Sequence, residues 1–226
     1  MSPSLPTLRV RDLGVLEYER ALAHQRALVE ARTRGDGVDT LLVVEHPAVI
    51  TLGRRRGADT HIITPGATPV VRVERGGDVT WHGPGQLVGY PILALGDGER
   101  DVHRFLRGLE DALIGLLSEL GLDALRVPGA TGVWARRPGT DADPQKLVSL
   151  GIAITHWVTF HGFALNVDPD LDEFGRIQPC GFAPERMGSL ASLGARLPSR
   201  DELIARVAFH LARALGRALD RDSTIG

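Results

Sequence analysis

The sequence predicts an α+β fold in which a mixed, largely antiparallel sheet is flanked by helices. Three long segments space their apolar residues at the period of a helix, whereas shorter apolar runs between turn residues have the pattern of strands. Residues 146–155 and 157–167 are both rich in strand-forming residues and follow each other directly, so we expect them to be antiparallel neighbours. Hairpins mixed with a few helices favour α+β over a regular βαβ repeat.

The first half of the chain begins with a predicted helix over residues 15–32. Tyr18, Leu22 and Val29 share one face of that helix, and the Gly-Asp-Gly sequence at residues 35–37 ends it. Short apolar runs then predict strands at residues 41–44, 49–52 and 70–74.

The second half has two further helices. Apolar residues at helical spacing predict one over residues 101–120, before a strand at residues 132–136 and an exposed polar loop at 137–144. Ser199 with Glu202 three residues later has capping-box spacing and should begin the last helix. Its predicted buried stripe consists of Leu203, Val207, Leu211, Leu215 and Leu219.

Composition narrows the class of protein. The 226 residues are 43% hydrophobic and 24% charged, as in a globular domain, and we expect residues 1–226 to form a single domain. The net charge of −2 gives no reason to expect nucleic acid as a partner. With one cysteine, no signal-peptide pattern and no apolar run of about 20 residues, the chain is predicted to be cytoplasmic and not attached to a membrane.

A glycine-rich stretch at residues 75–91 holds five glycines and two prolines, which predicts a rigid, shaped loop between two strands. It has neither the dinucleotide-binding nor the phosphate-loop spacing of glycines. A structural tight turn is the alternative. Arg75, His82 and Gln86 favour a functional role, because a simple turn does not need three such polar side chains.

Cysteine and lysine each occur once in the chain, and both residues are candidates for catalysis. Cys180, the only cysteine, lies between Pro179 and Gly181, so a turn is predicted there. Lys146 is the only lysine, and a lysine can give up a proton where an arginine cannot. Each has an ordinary alternative: an isolated cysteine is most often a small buried apolar residue, and most lysines edge a surface strand.

Several motifs in the same order resemble the lipoyl(octanoyl) transferase family. The pattern Arg-Gly-Gly, two variable residues, Thr, an aromatic residue and His-Gly-Pro-Gly-Gln matches residues 75–86. The resemblance covers roughly residues 40–195, and its further motifs lie at residues 45–47, 51–54, 159–167 and 179–181.

The resemblance implies the biotin/lipoate protein ligase fold and a cysteine–lysine dyad of Cys180 and Lys146. It implies octanoyl transfer from octanoyl-acyl carrier protein to lipoyl domains of 2-oxoacid dehydrogenases and to the glycine cleavage H protein, without cofactor or metal. It also implies an acyl-binding site made of Arg75, Gly76, Gly77, Asp78, Val79, Thr80, Trp81, His82, Ser149, Leu150, Gly151, Gly162, Phe163 and Ala164.

Two other functions stay open at this stage. An ATP-dependent lipoate or biotin protein ligase would need a lysine and a nucleotide site but no cysteine nucleophile. A non-catalytic acyl-binding module would not need Lys146 and Cys180 together. Among the histidines, His82 is predicted to orient substrate or to be structural, while His46 and His161 are expected to be structural. The arginines at residues 54–56 are either an ordinary solvated run or a contact for an acidic carrier protein.

Overall fold

The computed structural model describes residues 5–178 and 186–220. The described helices are α1 (Tyr18–Thr33), α2 (Val102–Glu119) and α3 (Arg200–Ala214), with short 3-10 turns at Ala58–His61, Asp97–Glu99 and Leu171–Arg176. The described strands are β1 (Thr7–Val15), β2 (Asp39–Glu45), β3 (Val49–Leu52), β4 (Val70–Arg72), β5 (Val79–His82), β6 (Gln86–Ile92), β7 (Asp123–Val127), β8 (Ala130–Arg136), β9 (Gln145–Thr155), β10 (Val158–Asn166) and β11 (Ala218–Leu219).

Eight of these strands form one mixed sheet in the order β11-β1-β2-β6-β10-β9-β8-β7. β1 pairs in parallel with β11 and β2, whereas the remaining pairs are antiparallel. β4, β3 and β5 form a second, smaller sheet. This arrangement confirms the predicted α+β class with a largely antiparallel sheet.

Helices cover both faces of the large sheet. On one face, α2 and α3 pack their leucines against β2, β6, β9 and β10 in the main hydrophobic core. On the other face, α1 packs Ala21 and Val29 against apolar side chains of β2, β6 and β10. The small sheet has its own core around Trp81 and Phe174. The cavity described below lies between the small sheet and the α1 face of the large one.

The three helices lie where the periodicity predicts them. Ser199 accepts a hydrogen bond from the backbone N–H of Glu202 at 3.2 Å, which confirms the cap of α3. The predicted buried stripe holds for Leu203, Val207 and Leu211, but Leu215 is the C-cap and only partly buried, and Leu219 lies outside the helix. The helix ends at Ala214 because Gly216 takes a left-handed φ of 63°, and Leu219 lies in β11, where it is 40% exposed.

Two other predictions are corrected at the level of strands. The first helix begins at Tyr18 and not at residue 15, since Val15 ends β1, a strand that the helical pattern obscured. The glycine-rich stretch is not one loop, because it contains β5 and all of β6 except its last residue. Gly85 turns the chain between them with a φ of 84°, and a Cβ there would lie 2.4 Å from the carbonyl oxygen of Asp168.

Candidate active site

A cavity lies where β5, β6, β9 and β10 meet the N-terminal turn of α1. Most of its exposed lining area is apolar, and polar or charged side chains line it at Arg75, Asp78, Thr80, His82, Lys146, Ser149 and His161. The lining residues are Tyr18, Arg75, Gly77, Asp78, Val79, Thr80, His82, Val88, Tyr90, Lys146, Ser149, Leu150, Gly151, His161, Gly162, Phe163 and Ala164.

The three segments proposed from sequence to bind the acyl chain converge on this cavity. The register of β9 and β10 places Ser149 opposite Ala164 and Gly151 opposite Gly162, so the two strands line one wall together. Residues 75–82 contribute the facing wall with two exceptions. The backbone N–H of Gly76 donates to Ile152 O at 2.8 Å, outside the cavity lining. Trp81 packs edge-on against Phe174, with ring centroids 5.3 Å apart.

A β-bulge puts Lys146 on the cavity side of β9. Val133 pairs with Val148 and Trp134 pairs with Lys146, so Leu147 is one extra residue on this strand. Leu147 and Val148 consequently both enter the main core, although neighbouring strand residues normally point to opposite faces. The extra residue allows Lys146 and Ser149 to line the same cavity.

Lys146 is almost completely buried, with 3% of its surface exposed. Its Nζ lies 5.8 Å from the centre of the Trp134 ring, and the guanidinium of Arg186 lies 4.5 Å from the same ring centre. Cations are attracted to the face of an indole ring. Gly132, with a φ of 124°, leaves room for the lysine, because a Cβ there would come within 2.8 Å of Lys146 Cε.

Cys180, the predicted nucleophile, lies outside the described residues. The chain leaves the described part at Gln178, whose backbone N–H donates to His61 O at 2.8 Å. After the chain re-enters it, Met187 forms a bridge with Lys146, and the Gly188 N–H donates to Lys146 O at 3.1 Å. The segment that follows Cys180 in sequence is therefore tied to the backbone of Lys146.

Close approach explains the glycines of the wall. A Cβ on Gly162 would lie 2.1 Å from the Gly89 carbonyl oxygen on β6, and one on Gly151 would lie 2.9 Å from Arg75 Cδ. Contacts below 3.0 Å require neighbouring atoms to move. The sequence analysis expected small residues because a side chain would fill the slot. In the structure, neighbouring strands and the Arg75 side chain already occupy the space next to both glycines.

Buried histidines and tyrosines form the polar end of the cavity. His46 Nε2 lies 2.8 Å from Tyr90 Oη, and Tyr18 Oη lies 3.4 Å from His161 Nδ1. Burial lowers the pKa of His46 and of His161 to about 4, and it raises the pKa of Tyr18 to about 12. Burial, with His46 and Arg75 nearby, also holds the pKa of His82 well below its usual range. These side chains are therefore neutral at pH 7.

Arg75 and Asp78 brace the wall that faces the strands. The Arg75 guanidinium donates to the carbonyl and the hydroxyl oxygens of Thr51, both at 2.9 Å. Asp78 accepts hydrogen bonds from the Val79 backbone N–H at 2.8 Å and from Arg55 at 3.1 Å. Arg75 thus ties the residues before β5 to Thr51 of β3, and Asp78 ties them to Arg55, which follows β3.

Sequence reasoning missed Tyr18, Val88 and Tyr90 as cavity residues and treated His161 as structural. Tyr18 was assigned to the core face of α1, and the strand that holds Val88 and Tyr90 was not recognised. His161 carries a signal only in the structure: its φ of 56° is left-handed, which is rare for a residue other than glycine. That backbone turn accompanies its contact with Tyr18 on α1.

The described residues contain neither a metal-binding cluster nor a membrane-spanning helix. Among residues 5–178 and 186–220, no group of three or more His, Cys, Asp or Glu side chains is arranged to hold a metal ion. Over the same residues, none of the helices combines the length and the hydropathy that crossing a membrane requires.

Solved structures share this fold. A protein from T. acidophilum with bound lipoic acid superimposes with a TM-score of 0.72 at 19% sequence identity, covering 96% of this chain and 89% of the other. Lipoate-protein ligase A bound with ATP gives a TM-score of 0.67 at 16% identity, covering 97% and 90%. The architecture is thus that of the lipoate protein ligases, as the sequence predicted.

Sequence comparison is more specific. Residues 17–212 match the family described as the lipoyl protein ligase A/B catalytic domain, and the chain belongs to that family. It is similar to the octanoyltransferase of Geobacter metallireducens, with 47% identity over 86% of this chain and 87% of the relative. It is also similar to the octanoyltransferase of Mycobacterium tuberculosis strain H37Rv, with 46% identity over 95% and 90%.

Proposed function

We propose that this protein transfers an octanoyl group from octanoyl-acyl carrier protein to the target lysine of lipoyl domains, through an octanoyl thioester on Cys180. The observation that carries the proposal is the cavity with Lys146 in its wall, because an apolar slot beside an amine suits acyl transfer. The octanoyltransferase relatives, 46–47% identical over most of the chain, support the same reaction. We infer that residues 1–226 make one catalytic domain working in the cytoplasm.

The first half-reaction forms the acyl-enzyme. The Cys180 thiolate attacks the thioester carbonyl of the donor, the carbon–sulfur bond to the phosphopantetheine breaks, and that sulfur leaves as a thiol after taking a proton. A free cysteine has a pKa of about 8.5, so a neighbouring cation is needed to raise the thiolate fraction. Lys146 supplies that cation and then the proton for the leaving thiolate.

The second half-reaction releases the product. The lysine amine of the lipoyl domain attacks the thioester carbonyl, an amide forms, and the Cys180 sulfur departs. Lys146, neutral after the first half-reaction, accepts a proton from the attacking amine, so the Cys180 thiolate and the Lys146 ammonium are both regenerated. Because the donor is already a thioester, neither half-reaction needs ATP or a metal ion.

The slot supplies binding energy for the acyl chain. Burying the seven methylene and methyl groups of an octanoyl chain at about 0.8 kcal/mol each contributes about 6 kcal/mol. Ala164, Val88 and Leu150 offer the apolar wall for that burial. Gly162 lets β10 lie close to β6, and Gly151 leaves room for the Arg75 side chain. The backbone groups of residues 75–82 complete the binding site on the opposite side.

The macromolecular partners follow from the two half-reactions. The donor is octanoyl-acyl carrier protein, and the acceptors are lipoyl domains of 2-oxoacid dehydrogenases and the glycine cleavage H protein. Arg54, Arg55 and Arg56 are exposed next to the wall of the slot, and Arg55 is paired with the buried Asp78. Arg54 and Arg56 therefore suit contact with an acidic donor, since opposite charges speed encounter.

Intact-mass analysis tests the proposal. Mixing the protein with octanoyl-acyl carrier protein should add one octanoyl group, and Cys180→Ser should abolish the adduct while leaving the fold intact. Adding a lipoyl domain should move the octanoyl group to its lysine. Wild-type protein that stays unmodified by active donor would refute the transferase. Octanoylation of the domain only from free octanoate and ATP would refute it too, and would favour the ligase.

A further inference from the structure

A continuous chain of buried hydrogen bonds links the cavity wall to the segment beside Lys146. His82 Nδ1 lies 3.2 Å from Gln86 Oε1, and Gln86 Nε2 donates to Asn166 Oδ1 at 2.9 Å. Asn166 Nδ2 donates in turn to the backbone carbonyl of Gly188 at 2.8 Å. His82, Gln86 and Asn166 are each at most 7% exposed. Two amides thus connect a ring in the slot to the backbone partner of Lys146.

The direction of this chain is fixed at its Gly188 end. A carbonyl oxygen only accepts, so Asn166 must turn its NH₂ group toward Gly188 and its oxygen toward Gln86. Gln86 then donates to Asn166, and its oxygen is left facing His82. His82 must donate from Nδ1, which fixes the neutral ring as the Nδ1–H tautomer and leaves Nε2 as a hydrogen-bond acceptor.

Asn166 also holds Gly188 and Leu190 in place. Asn166 contacts this segment twice, because its own carbonyl also accepts from the Leu190 N–H at 3.0 Å. Gly188 is clasped from the other side by its N–H bond to Lys146 O. It has no space to shift toward β9, since a Cβ on Gly188 would lie 2.7 Å from Gln145.

If Gln86 and Asn166 only stabilised the fold, apolar residues would do so without the desolvation cost of two buried amides. Gln86 and Asn166 face each other across β6 and β10, next to the apolar cross-strand pair Leu87 and Leu165. Burying a polar group is costly unless its hydrogen bonds are made, and a fully bonded network selects one arrangement. Here the second N–H of Gln86 also has a partner, the Trp81 carbonyl at 3.4 Å.

We propose that Gln86 and Asn166 are positioning residues of the acyl-transfer site, which hold His82 as its Nδ1–H tautomer and fix Gly188 beside Lys146. This inference rests on the proposed function. His82 then offers a hydrogen-bond-accepting Nε2 to substrate in the slot, and Gly188 stays hydrogen-bonded to the backbone of Lys146. Loss of either amide would misplace both groups at once.

Asn166→Leu and Asn166→Asp test the inference. Both lose the N–H donor to Gly188, while the aspartate keeps the size and an oxygen that can accept from Gln86. Misplacement of reacting groups by about 1 Å costs on the order of 10²-fold. We expect kcat for octanoyl transfer to fall by about 10²-fold in both variants, with KM for the donor changed by less than about twofold.

Thr159→Val is the matched control. Thr159 lies on the same strand and is equally buried. Its hydroxyl donates to Pro91 O at 2.7 Å and accepts from the Leu93 N–H at 3.0 Å, and the valine variant lacks both hydrogen bonds. Thr159 does not line the cavity. We expect wild-type kcat in this variant even where its unfolding midpoint drops. A loss of kcat equal to that of the Asn166 variants would show a general effect of buried polar groups and overturn the inference.

Nitrogen-15 NMR of the His82 ring reads the tautomer without any reaction. Wild type should show a protonated Nδ1 and an unprotonated Nε2 near pH 7, and the Asn166 variants should lose this single state. A wild-type ring protonated on Nε2 alone would overturn the inference, as would wild-type kcat in folded Asn166→Asp. If wild type forms no octanoyl adduct, the proposed function fails, whereas an adduct that forms equally fast in the variants refutes only the positioning role.

Discussion

Ala164→Leu should shift the substrate preference of the enzyme from octanoyl to shorter acyl chains. Ala164 lies in the wall of the slot opposite Ser149, so a leucine there adds three carbon atoms to space that the substrate would occupy. Excluding three methylene groups at about 0.8 kcal/mol each removes about 2.4 kcal/mol of binding, a factor of roughly 60 in kcat/KM for octanoyl donor. A pentanoyl donor, shorter by those three groups, should lose little.

The assay compares acyl-Cys180 formation from octanoyl and pentanoyl carrier protein by intact mass. Ala153→Leu is the control, because Ala153 lies on β9 outside the cavity lining and contacts the core beneath α1. That variant should keep the wild-type ratio of octanoyl to pentanoyl rates. The reasoning is refuted if Ala164→Leu is folded and also keeps the wild-type ratio, since the acyl chain would then not run past Ala164.

Three further predictions concern charge, pH and backbone shape. Lys146→Arg keeps a cation but cannot give up its proton, so acyl transfer should fall by about 10²-fold or more, and a stopped-flow measurement of acylation would contradict this if the rate held. His46 and His161 each have a pKa of about 4 in the folded protein, below the value of about 6.5 in the unfolded chain. The unfolded chain therefore binds protons first as the pH falls. Each histidine should cost up to about 3 kcal/mol of unfolding free energy between pH 6.5 and pH 4, and nothing above pH 6.5. Urea midpoints measured from pH 7 to 4 should decline, less steeply in His46→Gln; a flat series would count against the buried neutral rings. Gly85→Ala should lower the unfolding free energy by about 1–3 kcal/mol, because its left-handed backbone places a Cβ against Asp168, and an unchanged thermal midpoint would contradict that contact.

Elements whose cause is local were predictable from the sequence. The Ser199 cap and the first three residues of the α3 stripe depend on contacts within a few residues, and both are found where expected. β1 was missed although Leu8 and Val10 alternate with Arg9 and Arg11, a period-two signal that a strand should show. β11 has only two residues and forms by pairing with β1, so no local pattern could reveal it.

The residues of the cavity were predictable from the ordered family motifs, but not from hydrophobic periodicity and turn residues alone. Matching several motifs in order selected segments that the β9 and β10 register brings together, with Ser149 opposite Ala164. Tyr18 joins the cavity only because α1 crosses the sheet beside His161, which is a tertiary contact. The left-handed backbone of His161 is equally unreadable, since nothing in its neighbours' identities demands that conformation.

The extra residue Leu147 means that spacing, and not residue identity alone, decides which way the lysine faces. Deleting Leu147 would remove the bulge and leave Lys146 two positions from Ser149, so regular alternation would keep both side chains on one face. With Leu147 present but the strand regular, three positions would separate the two residues, and the lysine would turn away from the face that Ser149 occupies. The bulge is therefore what reconciles a three-residue spacing with two side chains in one cavity.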